Sequence, residues 1–411
     1  MERIFVMRNW LFLLIFLTAC STATRKPAPS TVVPAENARQ LSPSTQNDET
    51  GKQSTTTVID ATHTQNQASY HFSMGQAAAL DGDSERAIEE YKLALVYDPN
   101  SAVIHTRLAS EYVKRGLLTF AIESCKTAVE LDKKYIDARL LLAGLYASTK
   151  LVKEAIEQYN TVLKYEPNNT EAYVFKGSLL LEEDRAVEAV QVLQTLVKKD
   201  PESFLAHYYL ARAYQKQGKT DLAVASYKKA LVYRPGFPQA GLALGMVLEE
   251  KGRQKEAIKV YQQLYEESSD SQAVARLAQI YIDREDYDLA LRYLTILAES
   301  DDDNLNVRVK MGLIHVERKR FNEAATVFRE ILKKNKDAER IRYYLASVYE
   351  EQKRYEESVF EFKKIPPTST LFVDAVVHIG QLYKALGSTD EGLEWADYAL
   401  TQNSELPQLH V

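Results

Sequence analysis

Seven histidines are the first residues to consider, because two histidines four positions apart on one face of a helix can bind a metal ion. No two of the seven have that spacing: they are His63, His71, His105, His207, His315, His378 and His410. The sequence therefore predicts no metal site. We expect a packing role for His71, His105 and His207, which are separated by multiples of 34 residues.

Two short motifs suggest phosphate or calcium binding, and their context argues against both. Gly218-Lys219-Thr220 resembles the end of a phosphate-binding loop, but Ala213 stands where that loop needs its first glycine, and no strand precedes it. The acidic run at residues 301–303 lacks the spaced ligands and the closing glutamate of a calcium loop. We expect no cofactor.

Cys125 is the remaining candidate for reactivity, and it falls at a predicted core position of a helix. A buried free cysteine behaves as a small hydrophobic residue. The many aspartates and glutamates follow the solvent-facing sides of predicted helices, and no nucleophile elbow or paired carboxylates stand out. These observations argue against an enzyme.

Composition favours helices and excludes one class of partner. The chain has 411 residues, of which 45% are hydrophobic and 26% charged, with only 15 glycines and 12 prolines. Such a mixture is normal for a protein that buries a core, and it favours helix. The formal net charge of −6 gives no basic surface for nucleic acid, so we expect no nucleic-acid binding.

The first residues have the pattern of an export signal. Arg3 and Arg8 precede an apolar run, Trp10 to Leu17, that is too short to cross a bilayer as a helix. The run ends in Leu17-Thr18-Ala19-Cys20, which resembles a bacterial lipobox. The resemblance implies that residues 1–19 are a signal peptide and that Cys20 carries acyl chains, which would anchor the chain to a membrane. The alternative is an ordinary secretory signal that happens to contain a cysteine.

Residues 20–66 are predicted to be a disordered linker. They are rich in serine, threonine, proline, glutamine and asparagine and contain few large apolar residues. Such a segment buries too little surface to offset the entropy lost on ordering. As a flexible chain it would have an average reach of about 40 Å, so we expect a folded body held beside the membrane.

One pattern then repeats over residues 67–406, with 407–411 left as a tail. Alanines recur at intervals of 34 residues, with a single interval of 33, and Ser358 and Gly392 continue the series. The alanines are Ala87, Ala121, Ala155, Ala189, Ala223, Ala257, Ala290 and Ala324. Twelve residues before each lies a second small residue, from Gly75 to Gly380. Small residues at this spacing predict pairs of helices that cross closely.

This pattern resembles the tetratricopeptide repeat (TPR) over about ten units. The resemblance implies an all-α, right-handed superhelical solenoid whose first helices line a concave groove. Two positions depart from the pattern: Lys176 stands where a large apolar residue is expected, and His315 replaces a tyrosine. Trp395 and Tyr398 lie on the last helix, which no further capping helix follows. They either form a docking face or pack within the last unit.

The resemblance also implies which side chains face the groove. Carried over by position, they are Phe72, Val103, Leu140, Val174, Leu205, Tyr208, Arg212, Leu242, Met246, Glu249 and Glu350. The lysine and asparagine of the TPR clamp for C-terminal carboxylates are absent. We expect a peptide ligand with apolar residues against the first half of the array and basic residues against the second. The alternative is that several of these side chains pack between neighbouring helices.

These features together predict a non-enzymatic scaffold or adaptor for proteins or peptides of the cell envelope. Ser21 follows the lipobox cysteine where an aspartate would favour retention in the inner membrane. By analogy with that sorting rule, we expect an outer-membrane lipoprotein facing the periplasm. Resemblance to TPR lipoproteins suggests pilus and secretin assembly or recruitment of cell-wall enzymes. Alternatives are a subunit of a secretion, exopolysaccharide or outer-membrane assembly machine, and a cytoplasmic TPR regulator. The sequence leaves the oligomeric state open.

Overall fold

Residues 61–402 are described by the computed structural model, and they form twenty α-helices joined by short turns. The helices are α1 (Ala61–Leu80), α2 (Ser84–Tyr97), α3 (Ala102–Lys114), α4 (Leu118–Leu131), α5 (Ile136–Ser148), α6 (Val152–Tyr165), α7 (Thr170–Glu182), α8 (Ala186–Lys199), α9 (Phe204–Lys216), α10 (Thr220–Tyr233), α11 (Pro238–Glu250), α12 (Gln254–Ser268), α13 (Ser271–Asp283), α14 (Tyr287–Ser300), α15 (Leu305–Glu317), α16 (Phe321–Lys334), α17 (Glu339–Glu351), α18 (Tyr355–Phe362), α19 (Phe372–Leu386) and α20 (Thr389–Gln402). Consecutive pairs form ten units, each with a first and a second helix. None of these helices is long and apolar enough to cross a membrane.

The ten units stack into a helical solenoid, because each helix packs mainly against the helices before and after it in the chain. The first helices α3, α5, α7 and α9 also contact one another in succession. The first helix of the array, α1, begins at Ala61, six residues before the predicted start of the repeats. It has 20 residues, whereas the other first helices have 13 to 15.

The alanine series lies at the centre of the packing. All eight alanines are completely buried, and Ser358, which continues the series, donates a buried hydrogen bond of 2.8 Å to the Ala346 carbonyl. Several of the small residues twelve positions earlier lie against the second helix of the same unit. A Cβ atom on Gly75 would come within 2.7 Å of Tyr91, and one on Gly312 within 2.5 Å of Phe328. The prediction that these positions mark close helix crossings is confirmed there, but it is wrong for Gly380, where a Cβ atom would meet no atom within 4 Å.

Every unit turns between its two helices through one residue in the left-handed region. Five units have glycine there, as at Gly116 and Gly218, and five have other residues, including Lys150, Lys319 and Lys353, with φ of 56–62°. In all ten units, the next N–H donates to the carbonyl five residues earlier at 2.8–3.0 Å. This is the Schellman arrangement, which satisfies the carbonyl groups left free at the end of a helix.

The turns between units are held by the fourth residue of several first helices. His105 Nε2 donates to the Pro99 carbonyl at 3.1 Å, and His207 Nε2 donates to the Pro201 carbonyl at 2.8 Å. His71 bonds to Glu90 at 2.8 Å and stacks on Tyr97. The structural role predicted for these three histidines is confirmed.

Several other predicted core and turn positions behave as the sequence indicates. Cys125 is fully buried, and burial raises the pKa of its thiol to about 12. The stem of Lys176 is half-buried, and its Nζ donates to Asn160 at 2.7 Å. His315 is also half-buried, and burial lowers the pKa of its ring. Asp302, in the acidic run between α14 and α15, pairs with Lys334.

The ninth unit departs from the regular repeat. Its second helix, α18, has only eight residues and ends at Phe362. Pro366 and Pro367 follow, and the next helix begins at Phe372. Two adjacent prolines cannot continue the helix, since they lack the backbone N–H and their rings clash with the preceding turn. The tenth unit is therefore joined to the array by a longer turn.

Candidate functional site

A cavity of about 610 Å³ lies along the first helix of the third unit, α5, between the first helices of its two neighbours, α3 and α7. We call it the α5 groove. Its lining residues are Thr106, Arg107, Ser110, Val113, Leu118, Tyr135, Asp137, Leu140, Leu141, Gly144, Leu145, Ser148, Glu171 and Phe175. On α5 they recur at 137, 140–141, 144–145 and 148, which is one face of the helix over its whole length.

Gly144 opens the middle of the groove. A Cβ atom built on this residue would meet no atom within 4 Å, and the residue is exposed. The small residues at the helix crossings, such as Gly177, are different, because a Cβ there would come within 2.7 Å of a neighbouring side chain. Packing inside the protein thus does not require a glycine at 144, and its absent side chain leaves space facing the solvent.

The walls around Gly144 are apolar with a few hydroxyl groups. Leu141 and Val113 are half-buried, and Phe175 is 43% exposed. The hydroxyls of Ser110 and Ser148 donate to carbonyls of their own helices, at 3.0 and 2.8 Å. Because the hydrogen of each hydroxyl is used, only its lone pairs remain, and these accept hydrogen bonds. This part of the groove can hold an apolar side chain of a ligand, and the serine oxygens can accept hydrogen bonds from the backbone N–H groups of that ligand.

The other end of the groove is charged. Asp137 and Glu171 lie in the first turns of α5 and α7, and Arg107 lies on α3. All three are exposed, and within residues 61–402 none of them has a hydrogen bond or ion pair from its side chain. Burial and the nearby Asp137 carboxylate raise the pKa of Tyr135, which lies between these charges.

The predicted groove residues differ in exposure. Leu140 lines the α5 groove, and Val103 and Met246 are exposed, at 42% and 41%. Phe72, Leu205 and Leu242 are half-buried. Val174 differs, because it is only 4% exposed and packs in a core cluster with Tyr173 and Leu196. A ligand on the surface cannot reach it, although its position in the repeat predicts a groove side chain.

The predicted pair Tyr208 and Arg212 forms part of an aromatic cluster. Tyr208 packs edge-on against Tyr209 and Phe237, both at 5.1 Å between ring centres. The Arg212 guanidinium lies 5.8 Å from the centre of the Tyr208 ring. Burial raises the pKa of Tyr208. Tyr208 and Arg212 are half-buried and Phe237 is buried, so the predicted pair packs in a cluster at the junction of the fifth and sixth units.

Both predicted acidic residues already have partners within the chain. Glu249 accepts a hydrogen bond of 2.5 Å from the Tyr261 hydroxyl. Glu350 accepts one of 2.8 Å from Nδ1 of His378, whose ring stacks on Phe362. Each glutamate is half-buried. The two carboxylates therefore hold neighbouring helices together, which is the packing alternative left open by the sequence.

The last helix shows both of its aromatic residues in contact. Trp395 is half-buried and packs against the core clusters of the last units. Tyr398 lies 5.0 Å from it between ring centres and is 45% exposed. Trp395 thus packs within its unit, as one of the two interpretations predicts. Cys20, residues 20–60 of the predicted linker and the tail at 407–411 lie outside the described residues. The predicted end of the linker at residue 66 is wrong, because residues 61–66 belong to helix α1.

Sequence reasoning missed the charged end of the α5 groove. Asp137 and Glu171 occupy the second position of their units, which the TPR resemblance assigns to the groove. This position alone does not indicate a ligand site, because exposed acidic residues in the first turn of a helix are common and stabilise it. Their significance comes from their neighbours across the groove, which a single sequence does not show.

Models of the tetratricopeptide repeat family match residues 112–177, 151–204, 208–272, 273–308 and 309–364. No curated protein sequence matches the chain.

Solved structures with a similar arrangement include three TPR-like proteins. One is a tetratricopeptide repeat protein from Parabacteroides merdae, with 17% identity, 61% of this chain and 99% of that chain covered, and a TM-score of 0.45. PilF of Pseudomonas aeruginosa is 21% identical, with 51% of this chain and 96% of PilF covered and a TM-score of 0.41. MamA is 25% identical, with 42% of this chain and 93% of MamA covered and a TM-score of 0.39. Since the family models together match more than half of the 411 residues, this chain belongs to the tetratricopeptide repeat family.

Proposed function

We propose that this protein is an outer-membrane lipoprotein facing the periplasm, whose TPR array binds proteins or peptides of the cell envelope and brings them together. TPR arrays act as scaffolds for protein–protein interactions. In this account the chain binds its partners and catalyses no reaction. The proposed settings are the assembly of pili and secretins or the recruitment of cell-wall enzymes.

The α5 groove is the observation that carries the binding role. It combines an open apolar centre at Gly144 with hydrogen-bond acceptors and unpaired charges at its edges. Apolar walls with a few placed polar groups are typical of sites that bind a ligand in one orientation. Since the groove is built from three successive first helices, its shape depends on the stacking of the array and not on one mobile loop.

The lipobox-like sequence Leu17-Thr18-Ala19-Cys20 supports the membrane anchor. Each methylene of an acyl chain buried in the bilayer contributes about 0.8 kcal/mol, and two or more chains anchor a protein stably. The sequence between Cys20 and the first helix at Ala61 provides a tether of about 40 residues. An array held in this way would meet partners close to the membrane surface.

Crosslinking in living cells tests this function. The tagged protein and its Cys20→Ala variant are expressed at equal levels, crosslinked, purified, and compared by mass spectrometry of the attached proteins. We expect envelope proteins with the native form and their loss with the variant. The recovery of the same cytosolic proteins with both forms would instead support a cytoplasmic regulator.

A further inference from the structure

We infer that the α5 groove selects an extended peptide segment in which a basic side chain and a bulky apolar side chain are about three residues apart. This inference rests on the proposed function, because it assigns the chemistry of the ligand to the same groove. It follows from the separation of the charged end from the apolar centre.

The two ends of the groove are two helical turns apart. Asp137 and Gly144 lie on the same face of α5, and seven residues of helix correspond to about 10 Å. An extended chain covers that distance in about three residues. In an extended segment, the two side chains that meet the two ends of the groove are therefore about three residues apart.

The charges favour a basic side chain at the first end. Asp137 and Glu171 project from neighbouring helices, and their carboxylates have no ion pair in the part of the chain that the structure describes. A lysine or arginine of the ligand at this end would be attracted by both carboxylates. Arg107, on the opposite wall, leaves a net charge of −1 at this end and disfavours a second basic side chain beside the first.

The space over Gly144 favours a bulky apolar side chain at the second end. Leu141 and Phe175 line the cavity next to the missing side chain. An apolar side chain there would remove both residues from water, and such burial contributes about 25 cal/mol per Å² of apolar surface. A ligand with alanine at this place would leave the space open, so a bulky apolar residue should bind more tightly than alanine.

Selection of a random peptide library displayed on phage tests this inference directly. The full chain is the bait, and bound peptides are re-tested against four variants of it. Gly144→Leu fills the groove. Gly380→Leu is its control, because Gly380 is also an exposed glycine within a first helix, and a Cβ atom added there would meet no atom within 4 Å. Asp137→Asn/Glu171→Gln removes the carboxylates, and Glu89→Gln/Glu123→Gln removes two exposed charges from second helices.

We expect selected peptides to share a basic and a bulky apolar residue at the stated spacing. Their affinity should fall more than tenfold with Gly144→Leu and about fivefold with Asp137→Asn/Glu171→Gln, and should not change with either control. Peptides that need the open groove but show no basic residue, or an acidic one, would overturn the inference while leaving the proposed binding site in place. Peptides that bind the Gly144→Leu variant unchanged would overturn both.

Discussion

Tyr261 donates a hydrogen bond of 2.5 Å to Glu249, from the second helix of the sixth unit to its first helix. In the fifth unit, Tyr227 makes the equivalent bond to Gln215 at 2.9 Å. Both tyrosine side chains are almost completely buried. The two units thus share one arrangement, with a charged acceptor in the sixth unit and a neutral acceptor in the fifth. Comparing the two hydrogen bonds shows how much the charge of the acceptor contributes to the stability of the array.

We predict that Tyr261→Phe lowers the free energy of unfolding more than Tyr227→Phe does. The first change leaves a half-buried carboxylate without its donor, which costs about 1.5–3 kcal/mol, whereas loss of a neutral bond costs about 0.5–1.5 kcal/mol. Urea unfolding monitored by circular dichroism measures both. Equal losses, or a larger loss in the fifth unit, would show that the Glu249 carboxylate does not depend on Tyr261.

Replacing lysine by glycine at the turn within a unit should stabilise the array. Lys319 has φ of 56°, where a residue with a Cβ atom is disfavoured by roughly 1–2 kcal/mol. Lys319→Gly should therefore raise the unfolding temperature, and Gly116→Lys, the reverse change at the equivalent position of the second unit, should lower it. Differential scanning calorimetry gives both temperatures. The explanation fails if both changes shift the temperature in the same direction.

Alanine should have opposite effects at two glycines within first helices. A Cβ on Gly245 would come within 2.2 Å of the buried Tyr261 ring, so Gly245→Ala should cost about 1–3 kcal/mol through overpacking. Gly380 has open space at the same place, and Gly380→Ala should gain about 0.5–1 kcal/mol from the lower entropy of the unfolded chain. Chemical unfolding checks both signs, and a stabilised Gly245→Ala variant would contradict the close crossing.

Stability should fall at high pH because several tyrosines are buried. Burial raises the pKa of Tyr159 and Tyr343 from 10.0 to about 12. Between these values the unfolded chain loses the phenol protons while the folded chain keeps them, so ionisation favours unfolding. Stability is therefore retained below pH 10 and is lost as the pH rises from 10 to about 12.

Unfolding in urea at a series of pH values tests this prediction. Tyr159→Phe should reduce the loss between pH 10 and pH 12 by about 1–3 kcal/mol. Tyr70→Phe is the control, since the Tyr70 side chain is 58% exposed. If the two variants show the same loss as the native chain, burial of Tyr159 does not control the alkaline response.

Much of the fold could be predicted because small residues carry a strong signal. An alanine such as Ala121 recurs at the interval of the repeat and is completely buried, and Gly312 lies where a Cβ would clash with a neighbour. The left-handed turns at Lys150 and Lys319 could not be predicted, since lysine does not indicate that conformation. In those units the Schellman hydrogen bonds stabilise the left-handed conformation of the turn residue, although lysine itself disfavours that conformation.

Less of the candidate site could be predicted, because groove contacts depend on neighbouring units. Leu140 lines the groove as its repeat position indicates, whereas Val174, at the equivalent position one unit later, is buried in the core. Position within the repeat is the same for both, and the difference comes from how the fourth and fifth units pack. Asp137 and Glu171 share one edge of the groove because the third and fourth units stack, and the sequence of one unit does not show this contact.

The most direct test of the scaffold role compares two glycine variants of the tagged protein in cells. Crosslinked envelope partners are quantified for the native chain, for Gly144→Leu and for Gly380→Leu, after circular dichroism confirms that all three are folded. The account predicts that Gly144→Leu loses the partners and that Gly380→Leu keeps them. Partners recovered equally with the folded Gly144→Leu variant would show that the α5 groove is not where this protein binds.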